Sequence, residues 1–461
     1  MTRALRYRGT TVILSGLVVV LVFATSACGR HWPTATGGGS AKAVALPAEL
    51  TRAAQDRATA DNGGKKIGGS LNVVGIVSGP EGAILAAALK PFEDATGIRV
   101  NYQGSHDANT IVSTRLSAGT PPDVYYAGTS GGLKTYLKGG HLVPLNTFMD
   151  VDALRNEFSP QLINSMTVEG NLYGLFAETD SYVLWHNPKS YTGPSSFGAW
   201  EDLAAWSKRQ AETGTAPWCM AFSQGAGTGA AATYFIESIM LAQHGPRVVD
   251  RFTRGELPFT SPEVKQAFSE FSKIASDDRM VDGGPYQALS TPTAQIGAGM
   301  FTRQPSCQLT QYGEFGQNVF MSNSPRKLAP GVDIASLPFP PGHSGGSQLM
   351  NGHVAYLMKD TPQGRAFMRY YASAEFQSLL AAGGEWTVAN KKVAPSALPN
   401  QPMRDIQAHM DHATSAVLGS LTQMDPVLLS AYYRACVNVI ADPSSLDAIL
   451  QGIEEIRAGN E

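Results

Sequence analysis

The sequence predicts an α/β protein of two lobes. Its 461 residues are 43% hydrophobic and 16% charged, a composition in the range of ordinary globular proteins. A chain of this length exceeds the size at which a single hydrophobic core stops growing, so two lobes or domains are expected. Short apolar runs also alternate with stretches of helical periodicity, which is the pattern of βαβ units and a parallel sheet.

The first βαβ unit begins at the apolar run 70–77, SLNVVGIV, which predicts a buried strand. Residues 78–80, Ser-Gly-Pro, form a turn, and residues 81–94 carry apolar side chains at helical spacing. Gly97 ends this helix, and residues 98–102 form the next strand. Strand, helix and strand in this order imply parallel pairing.

The same alternation continues along the chain. A helix at 108–117 leads to a strand at 123–127 and then to a glycine-rich turn. Further amphipathic helices are predicted at 230–243, 262–276, 364–372 and 446–456.

The N-terminus has the three parts of a secretory signal. Three arginines precede the apolar run 11–27, which ends in small residues directly before Cys28. Residues 1–27 are therefore predicted to be a signal peptide. The run is about as short as a membrane span can be, so an uncleaved N-terminal anchor is the alternative. Under either interpretation the rest of the chain lies outside the cytoplasmic membrane.

Residues 25–28, Thr-Ser-Ala-Cys, resemble the lipobox at which bacterial lipoproteins are cleaved and acylated on the new N-terminal cysteine. The resemblance implies that fatty acyl chains such as palmitate on Cys28 anchor the protein to the outer face of the cytoplasmic membrane. Residues 28–68 are glycine- and alanine-rich without sustained apolar periodicity, which predicts a flexible tether. A short helix at 47–60 is possible within it.

Export also decides how the other cysteines, Cys219, Cys307 and Cys436, are interpreted. Outside the cytosol a pair can be oxidised and persist, which leaves one cysteine over, and spacing alone does not say which. No CxxC motif or Cys/His cluster indicates a metal site. The formal net charge of −3 gives no sign of nucleic-acid binding.

An ordered set of segments carries a family resemblance. The segments are PFEDATGIRVNY at 91–102, LSAGTPPDVYYAG at 116–128, LKGGHLVPLN at 137–146, residues 171–191 from NLYG to PKSY, residues 215–252 from TAPW to VDRF, SCQLTQYGEF at 306–315 and GGEWTVANKKVAP at 383–395. In this order they resemble the extracellular solute-binding proteins of carbohydrate ABC importers, the group that includes maltose-binding proteins. The later segments are similar to its α-glucoside-type branch.

The resemblance implies a type II periplasmic-binding-protein fold. In that fold two α/β lobes are joined by a hinge of several chain crossings, and the ligand is held in the cleft between them. Lobe one is expected to contain residues 70–180 plus 345–386, and lobe two residues 181–344 plus 387–461.

The resemblance further implies a monomeric, lipid-anchored receptor that binds a sugar of oligosaccharide or α-glucoside type. Such a receptor delivers its sugar to a permease that a separate ATPase drives. The chain has no Walker A motif, and neither a cofactor nor enzymatic activity is expected. The branch also implies a disulfide between Cys219 and Cys307, with Cys436 as a buried free thiol.

A sugar site needs carboxylates and amides for the hydroxyls and aromatic rings for the apolar ring faces. Such side chains are expected at strand ends and at the crossings between lobes. Helix capping, turn formation and core packing are the competing roles for the same residues. The candidates are Ser78, Glu81, Asp107, Thr129 and Ser130 after the first strands, Asp180, Tyr182, Asn351 and Trp386 at crossings, and Gln224 and Thr228 at a glycine-rich helix start.

Two other functions remain open. Residues 342–346, GHSGG, match the G-x-S-x-G pattern of a hydrolase nucleophile, but that serine works only on a strained turn from strand to helix. Here the motif follows prolines and precedes a predicted strand, which favours a surface loop. A receptor for another solute, such as a glycerophosphodiester, is the second alternative. Lysines and arginines in the cleft would favour phosphate, whereas rings and carboxylates favour a neutral sugar.

Overall fold

The computed structural model describes residues 44–105, 107–128 and 132–459. The predicted signal peptide, Cys28 and the first part of the predicted tether lie outside the described residues, as do Thr129 and Ser130. Within the described ranges, no helix is both long and apolar enough to cross a membrane.

The strands are β1 Ser70–Gly75, β2 Arg99–Gly104, β3 Val124–Ala127, β4 Thr167–Val168, β5 Asn171–Leu172, β6 Gly174–His186, β7 Ala216–Trp218, β8 Cys307–Gly313, β9 Ala335–Pro338, β10 Gln348–Leu357, β11 Thr387–Val388 and β12 Ala416–Leu418.

The α-helices are α1 Ala48–Asp61, α2 Gly79–Thr96, α3 Ala108–Ser117, α4 Leu133–Lys138, α5 Val151–Glu157, α6 Pro160–Ser165, α7 Trp200–Glu212, α8 Ala230–His244, α9 Pro246–Thr253, α10 Pro262–Ala275, α11 Gly284–Ser290, α12 Gly316–Asn323, α13 Pro362–Ala372, α14 Ala374–Gly383, α15 Gln401–Asp411, α16 Ser420–Gln423, α17 Pro426–Ala441 and α18 Leu446–Gly459.

The predicted βαβ unit is formed by β1, α2 and β2. Pro80 lies in the first turn of α2, where its missing N–H costs no hydrogen bond. Gly97 ends the helix with a left-handed φ of 71°. β1 pairs in parallel with both β2 and β3, as predicted. The first turn of α2 therefore lies at the carboxyl end of the parallel strands, and Glu81 lies in that turn.

One sheet runs in the order β2-β1-β3-β10-β6-β8-β7. Its central strands β6 and β10 are antiparallel, with Asn351 opposite Asp180, and all residues of β6 are buried. The register of this pairing shifts between Gly352 and Val354. β6 and β10 are therefore the two long strands that connect the halves of the fold.

Buried apolar side chains form two separate clusters. The first cluster includes β6 as far as Ala177, and the second includes it from Tyr182 onwards. The residues between them, 178–181, are polar and buried. On β10, residues 351–353 likewise contribute no apolar side chain to either cluster. On β6 the chain thus crosses from one core to the other through this polar stretch, whereas on β10 it crosses between Leu349 of the second cluster and Met350 of the first.

Two regions differ from the expected division. Part of the predicted tether, residues 48–61, forms α1, whose Ala54 and Ala58 are fully buried in the first cluster. These small side chains allow α1 to pack closely on α2 and α14. Residues 388–403, expected in lobe two, also contribute apolar side chains to the first cluster. β11 pairs with Glu178 and Thr179, the first two residues of the polar stretch of β6, and this pairing brings the following residues to the first cluster; the lobe boundaries stay a prediction.

The disulfide that the resemblance implied is confirmed. Cys219 and Cys307 are bonded across 88 residues of chain, with their Cα atoms 5.5 Å apart. Cys219 directly follows β7 and Cys307 begins β8, and these two strands pair in parallel. The bond therefore fixes the edge of the sheet in the second cluster. Cys436 is a free, buried thiol, as expected.

A buried carboxyl group joins α8 to α16. The Oε2 atom of Glu237 accepts from the backbone N–H of Ser420 at 3.1 Å, and the Ser420 hydroxyl donates to Oε1. Glu237 is fully buried beside Tyr432, Tyr433 and Cys436. Burial raises the pKa of Glu237 to about 7, although the two hydrogen bonds from Ser420 lower it.

The Glu237→Gln variant is expected to lose part of the pH dependence of stability. Because the folded-state pKa lies above the ordinary value of 4.5, the native protein binds the extra proton. The contribution of Glu237 is fully present below pH 4.5 and is lost as the pH rises through 7. Glutamine keeps an acceptor for Ser420 but cannot ionise, so at pH 8 the variant should be more stable by about 2 to 3 kcal/mol. Urea unfolding at pH 5 and pH 8 measures this difference, and an equal difference at both pH values would contradict it.

Candidate functional site

The polar stretch of β6 between the two clusters is the starting point for a site. Glu178 is fully buried and Asp180 is 6% exposed. Residues two apart on a strand point to the same face, so both carboxyl groups lie on one side of β6. Burying two like charges at this spacing is unfavourable for folding, which indicates a functional reason for keeping them.

Glu178 holds a histidine from the neighbouring strand. Its Oε1 atom lies 2.7 Å from Nδ1 of His353 on β10 and also accepts from the hydroxyl of Tyr126 on β3. Its Oε2 atom is buried and has no hydrogen-bond partner. Burial lowers the pKa of His353, but the hydrogen bond and charge of Glu178 outweigh burial and raise it to about 9. His353 is therefore a cation at neutral pH.

Asp180 has no partner of this kind. Its carboxyl group makes no hydrogen bond or ion pair with any described residue, although its side chain is almost fully buried. Burial raises its pKa, the charge of His353 lowers it, and the charge of Glu178 raises it further. Its oxygen atoms are not among the fully buried atoms that lack a partner, so they keep contact with solvent. Asp180 therefore presents acceptor atoms that a ligand could use.

Glu81 brings a carboxyl group from α2 to the same place. Burial raises its pKa to about 7, His353 lowers it, and Glu385, Asp180 and Glu178 raise it. Glu81 therefore lies within electrostatic range of the polar stretch of β6, and the structure brings two predicted site residues, Glu81 and Asp180, together. Glu385, which follows α14, joins the group, and burial also raises its pKa.

Glu314, after β8, was not identified from the sequence. It is fully buried, and its Oε2 atom accepts from the backbone N–H of Ser181 at 2.6 Å, while Oε1 accepts from that of Thr387 at 3.3 Å. Burial raises its pKa well above the ordinary value, and Asp180 raises it further. Glu314 therefore ties β6 to β11 beside Asp180. Its place in the segment 306–315, which carries the family resemblance, was the available signal.

Aromatic rings line the side of this group that belongs to the second cluster. Tyr182 stacks on Tyr234 of α8, with ring centroids 4.3 Å apart and ring planes 23° apart. Tyr312 on β8 is also buried; burial raises the pKa of its hydroxyl, and the charges of Glu81 and Asp180 raise it further. Tyrosines that offer an apolar face and a hydroxyl beside carboxylates are suited to sugar rings. Tyr234 and Tyr312 were not among the sequence candidates.

Two predicted site residues already have structural partners. The side chain of Asn351 is fully buried, donates to the Tyr182 hydroxyl at 2.7 Å and accepts from both the N–H and the hydroxyl of Thr422. It thereby ties β6 and β10 to α16. Trp386 is 2% exposed and packs in the first cluster, which is the core role that the sequence left open.

The remaining candidates lie nearer to the surface, and their ligand roles stay predictions. Ser78 precedes α2 and is half-buried, and Asp107 is exposed at the start of α3. Gln224 is exposed, while the hydroxyl of Thr228 donates to Gly225 O at 2.8 Å and accepts from the N–H of Gln224. These two residues therefore close their own turn.

A hydroxyl chain stiffens the crossing behind the carboxyl groups. Thr387 Oγ1 donates to the carbonyl of Thr179 at 2.7 Å and lies 3.0 Å from Thr179 Oγ1 and 3.2 Å from Ser181 Oγ.

The Thr387→Val variant, which keeps the shape of the side chain, should lower the free energy of unfolding by about 1 to 2 kcal/mol. Urea unfolding measures this change in the free energy of unfolding. Thr135→Val, at an exposed position of α4, is the matched control and should stay within about 0.5 kcal/mol of wild type; equal effects would contradict the prediction.

Two cavities lie away from this group. One of about 440 Å³ is lined by residues such as Asn62 and Asp360, and one of about 420 Å³ lies between α6, α9 and β12. Neither is lined by the buried carboxyl groups. The chemistry identifies the site better than the volume does, because unpartnered buried acceptors require a ligand or solvent whereas a surface cavity does not.

Comparison with known proteins gives a consistent picture. A sequence profile described as bacterial extracellular solute-binding protein matches residues 77–378. The osmoprotective compounds-binding protein GgtB of Synechocystis sp. is 28% identical over 337 residues, which cover 72% of this chain and 79% of that protein. The alpha-glucosides-binding periplasmic protein AglE of Rhizobium meliloti is 26% identical over 402 residues, 84% of this chain and 87% of AglE.

Solved structures show the same architecture. A chitin oligosaccharide binding protein superposes with a TM-score of 0.69 at 17% identity, covering 85% of this chain and 98% of its own. Maltose-bound MalE3 of T. maritima superposes with a TM-score of 0.65 at 16% identity, covering 85% and 100%. At these identities the likeness concerns the fold, and it agrees with two cores joined by crossing strands.

Proposed function

Because the chain belongs to the bacterial extracellular solute-binding protein family, we propose that it is the receptor of an ABC importer that captures a sugar between its lobes. The predicted type II periplasmic-binding fold is confirmed by its structural relatives. The proposed ligand is an oligosaccharide or α-glucoside-like sugar. The name of AglE, which is similar over most of its length, supports this ligand class.

The observation that carries the proposal is the group of polar side chains at the crossing strands. Asp180 and Glu178 lie on β6 with acceptor atoms that no described residue uses, and Glu81 reaches the same place from α2. Sugar hydroxyls are the donors that such acceptors need. Tyr182, Tyr234 and Tyr312 supply rings beside them. Carboxylates and rings from both halves thus meet where only a closed protein could contact one ligand from two sides.

The mechanism follows from this geometry. Glu81 lies on α2 of the first half, whereas Tyr234 and Tyr312 lie in the second cluster. A sugar that bridges them would favour the closed form, because it contacts both halves only in that form. The closed form would then dock onto a permease, and a separate ATPase would supply the energy.

The location of the receptor is part of the proposal. We infer that residues 1–27 are removed as a signal peptide and that acyl chains on Cys28 anchor the protein outside the cytoplasmic membrane. Because α1 packs on the first cluster, the flexible tether would be confined to residues before 48. The body is proposed to act as a monomer.

The two alternatives lack support at the site. A phosphate group would call for lysine or arginine, yet no described lysine or arginine forms an ion pair with Glu81, Glu178 or Asp180. The hydrolase motif at 342–346 begins with a 3-10 turn that leads into strand β10 rather than into a helix. The strained strand-to-helix turn that such a serine needs is therefore missing at that motif.

A thermal-shift screen with maltose, trehalose, sucrose and longer α-glucans tests the proposal. A ligand at 100 times its Kd stabilises the native state by about 2.7 kcal/mol, which raises the Tm measurably. At least one of these sugars should do so, and the parallel addition of glycerophosphocholine should not. A Tm raised by glycerophosphocholine and by none of the sugars would contradict the sugar proposal.

A further inference from the structure

We propose that the preferred ligand is a sugar or sugar-like polyol that carries a cationic nitrogen among its hydroxyls, which the carboxyl groups of Asp180 and Glu178 on β6 would recognise. This inference rests on the proposed function and narrows it. Its basis is the balance of charge at the crossing strands together with the acceptor atoms that the protein itself leaves unused.

Carboxyl groups at the site outnumber the cations that face them. The carboxyl groups that meet there are Glu81, Glu178, Asp180, Glu314 and Glu385. His353 is the one cation that acts on them within the described residues, and it is already bonded to Glu178. The other titratable groups that face these carboxyl groups are the hydroxyls of Tyr102, Tyr126, Tyr182, Tyr234, Tyr312 and Tyr371. One cation therefore faces five acids.

Asp180 supplies independent support for a ligand. Its side chain is 6% exposed and makes no hydrogen bond or ion pair with any described residue. The buried Oε2 atom of Glu178, on the same face of β6, is also without a partner. A neutral sugar would offer hydroxyl donors but no charge. An ammonium group offers donors and the missing positive charge together, which suits this pair better.

A metal ion would be another way to balance the charge. However, no group of three or more His, Cys, Asp or Glu side chains among the described residues is arranged to hold one. Neutral carboxyl groups are a further possibility, because burial raises the pKa values of Glu81, Asp180 and Glu314. Protonated carboxyl groups would favour a neutral sugar, so the two possibilities differ in the ligand that they select.

Matched ligand sets distinguish these possibilities by titration calorimetry at pH 7. Each set keeps one skeleton and changes only the nitrogen: glucose, glucosamine and N-acetylglucosamine form the first, and trehalose, 2-trehalosamine and its N-acetyl derivative form the second. Acetylation keeps the nitrogen but removes its charge. The inference expects the amine to bind at least tenfold more tightly than both neutral members in one of the sets.

The role of Asp180 is tested in the same titrations. Asp180→Asn should reduce the preference for the amine to about twofold or less, whereas Asp152→Asn, at an exposed position of α5, should leave it unchanged. An amine that binds no more tightly than its neutral partners overturns the inference, and so does the failure of every amine to bind. The proposed function falls separately, only if the neutral sugars of the wider screen also leave the Tm unchanged.

Discussion

The Asp180→Ala variant is expected to bind the sugar about 1,000-fold more weakly while its free energy of unfolding rises by about 1 kcal/mol. The carboxyl group has no described partner, so its burial costs stability that alanine restores. The same unused acceptors would bond ligand donors, and losing two or three charge-assisted hydrogen bonds removes about 4 kcal/mol of binding energy. Calorimetric titration with the sugar that gives the largest thermal shift, and urea unfolding, measure the two effects.

Asp333 offers a matched control, because it is equally buried but fully partnered. Its carboxylate bonds Lys189 at 2.7 Å, Arg326 at 2.9 Å and the N–H of Ala329 at 2.9 Å, and these bonds hold its pKa below the ordinary value. Asp333→Ala should lower the free energy of unfolding by about 2 kcal/mol and leave ligand affinity unchanged. If Asp180→Ala instead loses stability and keeps its affinity, Asp180 is a structural residue and the site lies elsewhere.

Removal of the disulfide is expected to have the second large effect. The double variant Cys219→Ser and Cys307→Ser frees a loop of 88 residues, and the chain-entropy treatment assigns about 4 kcal/mol to that closure. Because the bond joins β7 to β8 within the second cluster, the loss should appear in the unfolding of that half. The fluorescence of buried Trp218, next to Cys219, follows it during urea unfolding.

Cys436→Ala is the control for the disulfide. It removes the free, buried thiol without opening any loop, so a loss of about 1 kcal/mol is expected. Reduction of the wild-type protein should reproduce the double variant. A double variant within 1 kcal/mol of wild type would show that the rest of the second half already constrains the loop, and the expected role of the bond would be wrong.

Local signals predicted the regular elements well. The strand, helix and strand from Ser70 onwards form with parallel pairing, and the helices predicted at 108–117, 230–243 and 262–276 begin at the expected residues. Apolar periodicity and glycine or proline at the ends are properties of neighbouring residues, so one sequence suffices to detect them. The disulfide partners, by contrast, followed from a family resemblance, because spacing alone allowed three pairings.

The site was predicted only in part, because it is assembled from distant segments. Asp180 and Glu81 were predicted as ligand contacts from their places after strands and at a crossing, and that role stays a prediction. Glu314 and Tyr312 lie more than 100 residues from Asp180 along the chain, and only the pairing of β6 with β8 brings them to it. Asn351 and Trp386 have the right chemical types, but their partners inside the fold cannot be seen in a sequence.

Residues after 386 join the first cluster for a reason that the sequence likewise does not reveal. The crossing was expected at residue 387, since the segment from Gly383 resembles a family crossing. β11 is only two residues long and pairs with Thr179 and Glu178, so the chain passes the hinge strands and returns to the first cluster. A short strand at a sheet edge leaves no periodic signal that would reveal which cluster the following residues join.

Ligand-dependent closure of the two halves is the central claim, and small-angle X-ray scattering of the purified protein tests it most directly. With a saturating amount of the sugar that gives the largest thermal shift, the radius of gyration should fall, and the Asp180→Ala variant at the same concentration should show no change. A radius that stays constant while calorimetry shows the wild-type protein to be saturated would contradict closure around the ligand.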